Sequence, residues 1–226
     1  FVAAISRQRG KSYWACLIAI EFAIKHPGSS VKYVSKTQKS VASIIEPQFR
    51  SILADCPEEL KPRFIPLKST WQFANGSEIV IAGTDNKHYE RLRGQRAHLV
   101  IKDEAAFFDD YDEVDAVLGP QTLTTGGICI EVSTPPESAG HPFESRFRNA
   151  FARGRAVQRG IYGHPRMSHD DVEAFLWREA QRKGMGVEEF KQTTYFRREF
   201  LAEFVTEASR AAVPGWTFDR SKRLIG

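Results

Sequence analysis

The first dozen residues constrain this chain most. Phe1-Val2-Ala3-Ala4-Ile5 is a short apolar run with strand character. Ser6-Arg7-Gln8-Arg9-Gly10-Lys11-Ser12 follows as a tight loop, and Tyr13 to Ile24 is apolar nearly all round. A strand, a loop ending Gly-Lys-Ser and a buried helix form an arrangement that cradles phosphates with backbone N–H groups and a helix N-terminus. Gly10 lets the backbone approach closely. Lys11 can reach β- and γ-phosphates, and Ser12 can ligate Mg²⁺. The usual pattern has a glycine where Ile5 stands, and Gly-Lys-Ser alone is short enough to arise by chance.

A second motif raises its weight. His98-Leu99-Val100-Ile101-Lys102-Asp103-Glu104 reads as an apolar strand ending in two acids. Asp103 is a candidate for the Mg²⁺ shell, and Glu104 for polarising an attacking water. Lys102 stands where an apolar residue is usual; on an alternating strand it projects away from the site. A third motif is Cys129-Ile130-Glu131-Val132-Ser133-Thr134-Pro135, a strand ending in small hydroxyl residues. Ser133 and Thr134 can stand beside a γ-phosphate and sense its presence. Read without the other two motifs, this segment is a simple Ser/Thr turn before Pro135. Arg7 and Arg93 are candidates for a cation that stabilises transition-state charge, the alternative for each being a surface ion pair.

Periodicity organises the rest. Strands are expected at Val31–Val34, Trp71–Phe73, Glu78–Ile81, Ala97–Lys102, Gly127–Ser133 and Ala156–Tyr162. Asn75-Gly76 marks a hairpin. Helices are expected at Thr37–Leu53, Tyr111–Leu118, Phe143–Phe151, Asp170–Lys183 (with Ser168 as N-cap) and through most of Val187–Val205. Pro57, Pro62 and Pro66 predict an irregular stretch. Alternation of this kind argues an α/β fold with a mainly parallel sheet flanked by helices. The expected division is a core over 1–162, a small helical subdomain over 163–205 and a linker over 206–226. The net charge of +4 and a pI near 9.0 are compatible with a polyanionic partner without demanding one. No apolar run reaches the ~18–20 residues of a membrane span. The three cysteines read as small reduced hydrophobes, and the six histidines show no metal-ligand spacing. The opening directly on a strand, without Met, predicts a natural N-terminus further upstream.

These residues together resemble a family. The loop at 6–12 is similar to the P-loop of large terminase subunits, the genome-packaging motors of tailed bacteriophages and related viruses. Leu92-Arg93-Gly94, followed by Leu99-Val100-Ile101-Lys102-Asp103-Glu104-Ala105-Ala106-Phe107, resembles that family's LRG…DEAAF block. Ser133-Thr134-Pro135 resembles its coupling motif. Arg198-Glu199-Phe200-Leu201-Ala202-Glu203-Phe204 resembles the segment closing its ATPase domain.

The resemblance implies a P-loop NTPase fold of the additional-strand, catalytic-glutamate class, with a helical lid. It implies Mg²⁺ with ATP as cofactor and nucleotide. The site would comprise Ser6, Arg7, Gln8, Arg9, Gly10, Lys11 and Ser12 for the phosphates, and Ser12 and Asp103 for Mg²⁺. Glu104 would be catalytic, Arg7 a cis sensor, Arg93 a trans-acting finger, and Ser133 and Thr134 the coupling pair. The partners implied are double-stranded DNA, a homo-oligomeric ring (pentameric in this reading), the portal and procapsid, and the small terminase subunit. The setting would be the cytoplasm of an infected or prophage-bearing bacterium. The family's nuclease domain and upstream adenine-binding segment are not expected within this sequence. Two alternatives differ in class: a superfamily 2-type helicase or translocase, and a DNA-binding scaffold that no longer hydrolyses ATP. The first needs a second strand-rich half, which nothing after Gly163 supplies. For the DNA-facing surface, Arg146, Arg148, Arg153, Arg155 and Arg159 are candidates, a solvated face being the alternative.

Overall fold

Short runs rich in Val, Ile and Ala build the sheet, because such residues suit a pleated surface covered on both faces. The computed structural model describes residues 1–205; the expected linker at 206–226 lies outside the described residues. Its strands are β1 (Val2–Ile5), β2 (Ser30–Ser35), β3 (Arg63–Ile65), β4 (Thr70–Gln72), β5 (Glu78–Gly83), β6 (Leu99–Asp103), β7 (Ile128–Ser133) and β8 (Ala156–Arg159). They form one eight-stranded sheet in the order β3-β4-β5-β2-β6-β7-β1-β8. From β5 to β8 every pairing is parallel. Only the β3-β4 and β4-β5 pairs at one edge are antiparallel. β7 lies between β1 and β6, which is the additional-strand arrangement.

Helix α1 (Lys11–Lys25) buries Ala15, Cys16, Ala19, Ile20 and Ala23. Small residues on that face let it lie close to the sheet. Its opposite face is not buried as expected: Tyr13, Trp14, Leu17 and Ile24 are each more than a third exposed. The helix expected at Thr37–Leu53 is composite. It runs as α2 (Gln38–Ser40), a π-helical stretch (Val41–Ile45) and α3 (Glu46–Ile52). Thr37 is its N-cap, its hydroxyl accepting from Ser40 N at 2.9 Å. The remaining helices are α4 (Tyr111–Leu118), α5 (Pro142–Ala152), α6 (His169–Arg182), α7 (Val187–Gln192) and α8 (Thr194–Glu199). α6 begins with a capping box between Ser168 and Asp171.

Two apolar layers sandwich the sheet. One joins α1 and α3 to Tyr33, Phe49, Trp71, Ile79 and Ile101. The other joins α4 and α5 to Val34, Val100, Tyr89 and Leu92. A third cluster holds α6 to α8 around Leu176, Phe190, Phe196 and Phe200, with Ile161 from the core side.

Some local expectations are corrected. β3 forms within the proline-rich stretch, pairing with β4 on the sheet edge, where missing ladder donors are tolerated. β8 stops at Arg159 rather than Tyr162, and after Glu199 the chain leaves the helical state.

Gly83 closes β5 at a crowded point. A Cβ there would stand 2.1 Å from Gln38 N and 2.6 Å from Gln38 Cα. Gln38 Oε1 accepts from Gly83 N at 2.9 Å, locking the two segments together. Gly83→Ala must push backbone against backbone, so it should destabilise the fold by about 3 kcal/mol. That corresponds to a melting temperature lower by roughly 6–12 °C. A calorimetric Tm within a degree of wild type would refute the close approach.

Candidate functional site

In a parallel sheet, ligands gather at the carboxyl ends of the strands. The order β6-β7-β1 places the loops after Asp103, Ser133 and Ile5 side by side at that end. Three motifs separated in sequence thus meet.

The loop after β1 is held from below by the 159–164 segment. Ser6 N donates to Arg159 O at 2.9 Å. The Arg9 guanidinium donates to the carbonyls of Gly160, Tyr162 and Gly163 at 2.6, 3.0 and 2.8 Å. Arg9 therefore fastens the loop to the 160–163 segment. Gln8 O lies 2.9 Å from His164 Nε2. Gln8 and Gly10 both take left-handed backbone, at φ 61° and 76°. Only glycine does this without strain, and a Cβ on Gly10 would meet nothing within 4 Å. Lys11 and Ser12 then begin α1, whose first N–H groups have no intrahelical acceptors.

Arg7 is tied elsewhere. Its backbone N donates to Glu199 O at 2.8 Å, and its guanidinium pairs with the Glu199 carboxylate. Arg198 also pairs with Glu199, at 3.0 Å, and with Glu137 at 2.8 Å. The segment closing the described chain is thereby joined to the loop that follows Pro135.

Asp103 ends β6 fully buried. Its Oδ2 accepts from Tyr33 Oη at 2.9 Å. Its Oδ1 has no hydrogen-bond partner among the described residues. Burial pushes the carboxyl above the usual range, opposed by the neighbouring Ser12 hydroxyl, Tyr33 and Lys11. A buried carboxylate oxygen without a partner, beside a hydroxyl and opposite a phosphate loop, suits a hard divalent cation. Among the described residues no cluster of three or more His, Cys, Asp or Glu could cage a metal.

Glu104 follows in left-handed backbone, φ 59° and ψ 36°. A glutamate there costs about 1–2 kcal/mol, so surrounding contacts must hold it. Phe107 N donates to Glu104 O at 2.9 Å. Ala106 N donates to Ser133 Oγ at 3.2 Å. Ser133, fully buried, thus grips the turn carrying Glu104. Thr134 is buried beside it.

Arg93 is not brought to this cluster. Its guanidinium makes a bidentate pair with Glu90 at 2.6 and 2.7 Å. It lies in the loop entering the N-terminal end of β6, whereas Asp103 closes the C-terminal end. Lys102 points to the sheet's other face, as alternation requires, and meets Asp115 and Glu131 at 2.5 and 3.1 Å. Of the basic residues considered for DNA, Arg146 pairs with Asp115 and Glu131, and Arg148 with Glu144. Arg153, Arg155 and Arg159 are exposed.

Beside the phosphate loop lies a cleft of about 740 Å³, walled by Trp14, Leu17, Val157, Pro165 and Arg166. The volume suits a small organic ligand. Sequence reasoning missed this cleft, Tyr33 and the pairing of Glu199 with Arg7. Tyr33 reads as an ordinary strand aromatic, and the closing segment that contains Glu199 does not show which residue it meets.

No curated protein matches the chain. Among solved structures, the large terminase from a thermophilic bacteriophage superposes with a TM-score of 0.71 at 12% identity, covering 91% of this chain and 48% of that one. The same terminase in complex with ADP gives 0.69 at 12% identity, covering 90% and 48%. The large terminase ATPase domain of Thermus phage P74-26 gives 0.59 at 21% identity, covering 90% and 88%. The chain thus spans about half the length of the first of these proteins, and the likenesses establish the P-loop NTPase fold. The sequence itself matches the family described as "Terminase large subunit, T4likevirus-type, N-terminal" over residues 2–211. With its three motifs joined at one end of an additional-strand sheet, this chain belongs to the N-terminal domain family of large terminase subunits.

Proposed function

We propose that this chain hydrolyses ATP and uses the energy to translocate double-stranded DNA into a procapsid. The observation that carries the reading is the meeting of Lys11 and Ser12 with Asp103 and Glu104 at one end of the sheet, with Asp103 Oδ1 buried and unpartnered among the described residues. Loop N–H groups and Lys11 bind the phosphates. Ser12 and Asp103 would hold Mg²⁺, which when bound supplies neutralisation of the phosphate charge. Glu104 orients a water and takes its proton as that oxygen bonds to the γ-phosphorus and the bond to ADP breaks. The cleft beside Trp14 and Leu17 receives the base, which suits apolar walls. Ser133 and Thr134 couple the phosphate state to the turn carrying Glu104, and α6 to α8 serve as the lid.

Arg7 supplies a cation in cis once its pair with Glu199 opens. Arg93, at the strands' opposite end and exposed, serves the site of a neighbouring copy. This reading includes a homo-oligomeric ring, pentameric as in the family expectation, acting with portal, procapsid and small terminase subunit in the host cytoplasm. Family membership supports it. No helix among the described residues is long and apolar enough to cross a membrane.

The test uses assembled full-length protein with ATP. Arg93→Ala should lower hydrolysis by about 10³-fold while ATP binding is kept. Mixing it with Glu104→Ala should restore part of the rate through hybrid interfaces. A mixture as inactive as either variant alone sinks the trans role. Wild type that neither binds nor hydrolyses ATP sinks the whole reading.

A further inference from the structure

Tyr33 presents a hydroxyl inside an apolar cluster. The residue is fully buried in the middle of β2, among Cys16, Ile101 and Phe49, with its ring edge-on to Phe49 at 5.7 Å. Phenylalanine would fill the same volume. A hydroxyl placed there is costly unless it is hydrogen-bonded, and its bond goes to Asp103 Oδ2 at 2.9 Å across the β2-β6 pairing.

The bond has a geometric effect on Asp103. A carboxylate offers two oxygens and a broad rotation about its terminal torsion. Tyr33 engages Oδ2, so the plane of the group is set and Oδ1 alone is left without a partner among the described residues. We propose that Tyr33 is a positioning residue: it presents Asp103 as a one-oxygen acceptor for the divalent cation that accompanies the nucleotide. This rests on the nucleotide-binding reading above. The residue does not touch nucleotide or cation; it acts through Asp103, as outer partners of metal ligands do.

Tyr33→Phe removes one oxygen and keeps the packing. Asp103 then loses the bond that holds Oδ2 and turns more readily. ADP affinity is measured by isothermal titration with EDTA and again with saturating Mg²⁺, in wild type and variant. The gain that Mg²⁺ confers should fall about tenfold in Tyr33→Phe, while affinity in EDTA stays unchanged. An undiminished Mg²⁺ gain in the variant overturns the proposal, as does an equal loss with and without Mg²⁺, which marks a merely structural role. Should the variant fail to fold, 3-fluorotyrosine placed at position 33 reports in the folded protein. Its ¹⁹F resonance should shift on adding Mg²⁺ to the ADP-bound state, and an unmoved resonance overturns the proposal. If wild type binds no ADP under either condition, the nucleotide reading itself has failed, a result distinct from all of these.

Discussion

Glu104→Gln should leave ATP binding intact and lower steady-state hydrolysis by about 10³-fold. The substitution is chosen because it keeps side-chain length and removes only the charge that accepts a proton. Backbone geometry is the second reason for the choice. Glu104 sits at φ 59° and ψ 36°, a conformation that the Phe107 N bond to Glu104 O and the grip of Ser133 on Ala106 N help to hold. Glycine would relax that conformation and confound loss of chemistry with loss of position, whereas glutamine keeps the strain. The check is paired: equilibrium binding of a fluorescent ATP analogue, and phosphate release by the full-length protein. A variant retaining a tenth or more of the wild-type rate would remove Glu104 from the chemistry.

Lys102→Ala should destabilise the fold by about 3–5 kcal/mol, the usual result of breaking a buried ion pair. Lys102 and Glu131 are both almost fully buried, and Asp115, Arg146 and the Tyr111 hydroxyl complete the network. Tyr111 Oη donates to Glu131 at 2.5 Å. Burial works against the Lys102 ammonium, but Glu131 and the other surrounding acids outweigh it and hold its pKa above the usual lysine value. The lysine stays charged at neutral pH. Because the folded pKa is raised, the stabilisation is fully present below the unfolded lysine pKa of about 10.4. It is lost only as pH rises further, through the folded value. Removing the ammonium leaves the buried Glu131 carboxyl with one cation fewer. The double variant Lys102→Met with Glu131→Gln should recover much of the loss, since both charges go together. Urea melts at pH 7 measure both. A single-variant loss below about 1 kcal/mol would mean water reaches the cluster.

Several elements were legible locally. Tyr111–Leu118 is a helix at the expected bounds, because apolar Tyr111, Val114, Val117 and Leu118 recur with helical spacing and Gly-Pro ends the run. Ser168 caps α6 as its hydroxyl and the acids after it suggest. Asn75-Gly76 does join two antiparallel strands. The failures share a cause. β3 has neither length nor alternation and exists because β4 offers an edge. The outer face of α1 is as apolar as its inner face, so periodicity could not tell which side meets the sheet.

The phosphate loop, the acid pair and the hydroxyl pair were present in the sequence as ordered motifs, because each is a local arrangement of neighbouring residues. Their order along the chain also pointed to the family. What joins them was decided by tertiary structure alone. Tyr33 and Asp103 are 70 residues apart and Ala106 and Ser133 are 27 apart, and Arg7 finds Glu199 at the far end of the described chain. Local periodicity says which face of a strand is apolar, but not which strand lies beside it. Placing β7 between β1 and β6 is a choice made by global packing. That choice puts Ser133 under the turn carrying Glu104, while the separate pairing of β2 with β6 seats Tyr33 against Asp103.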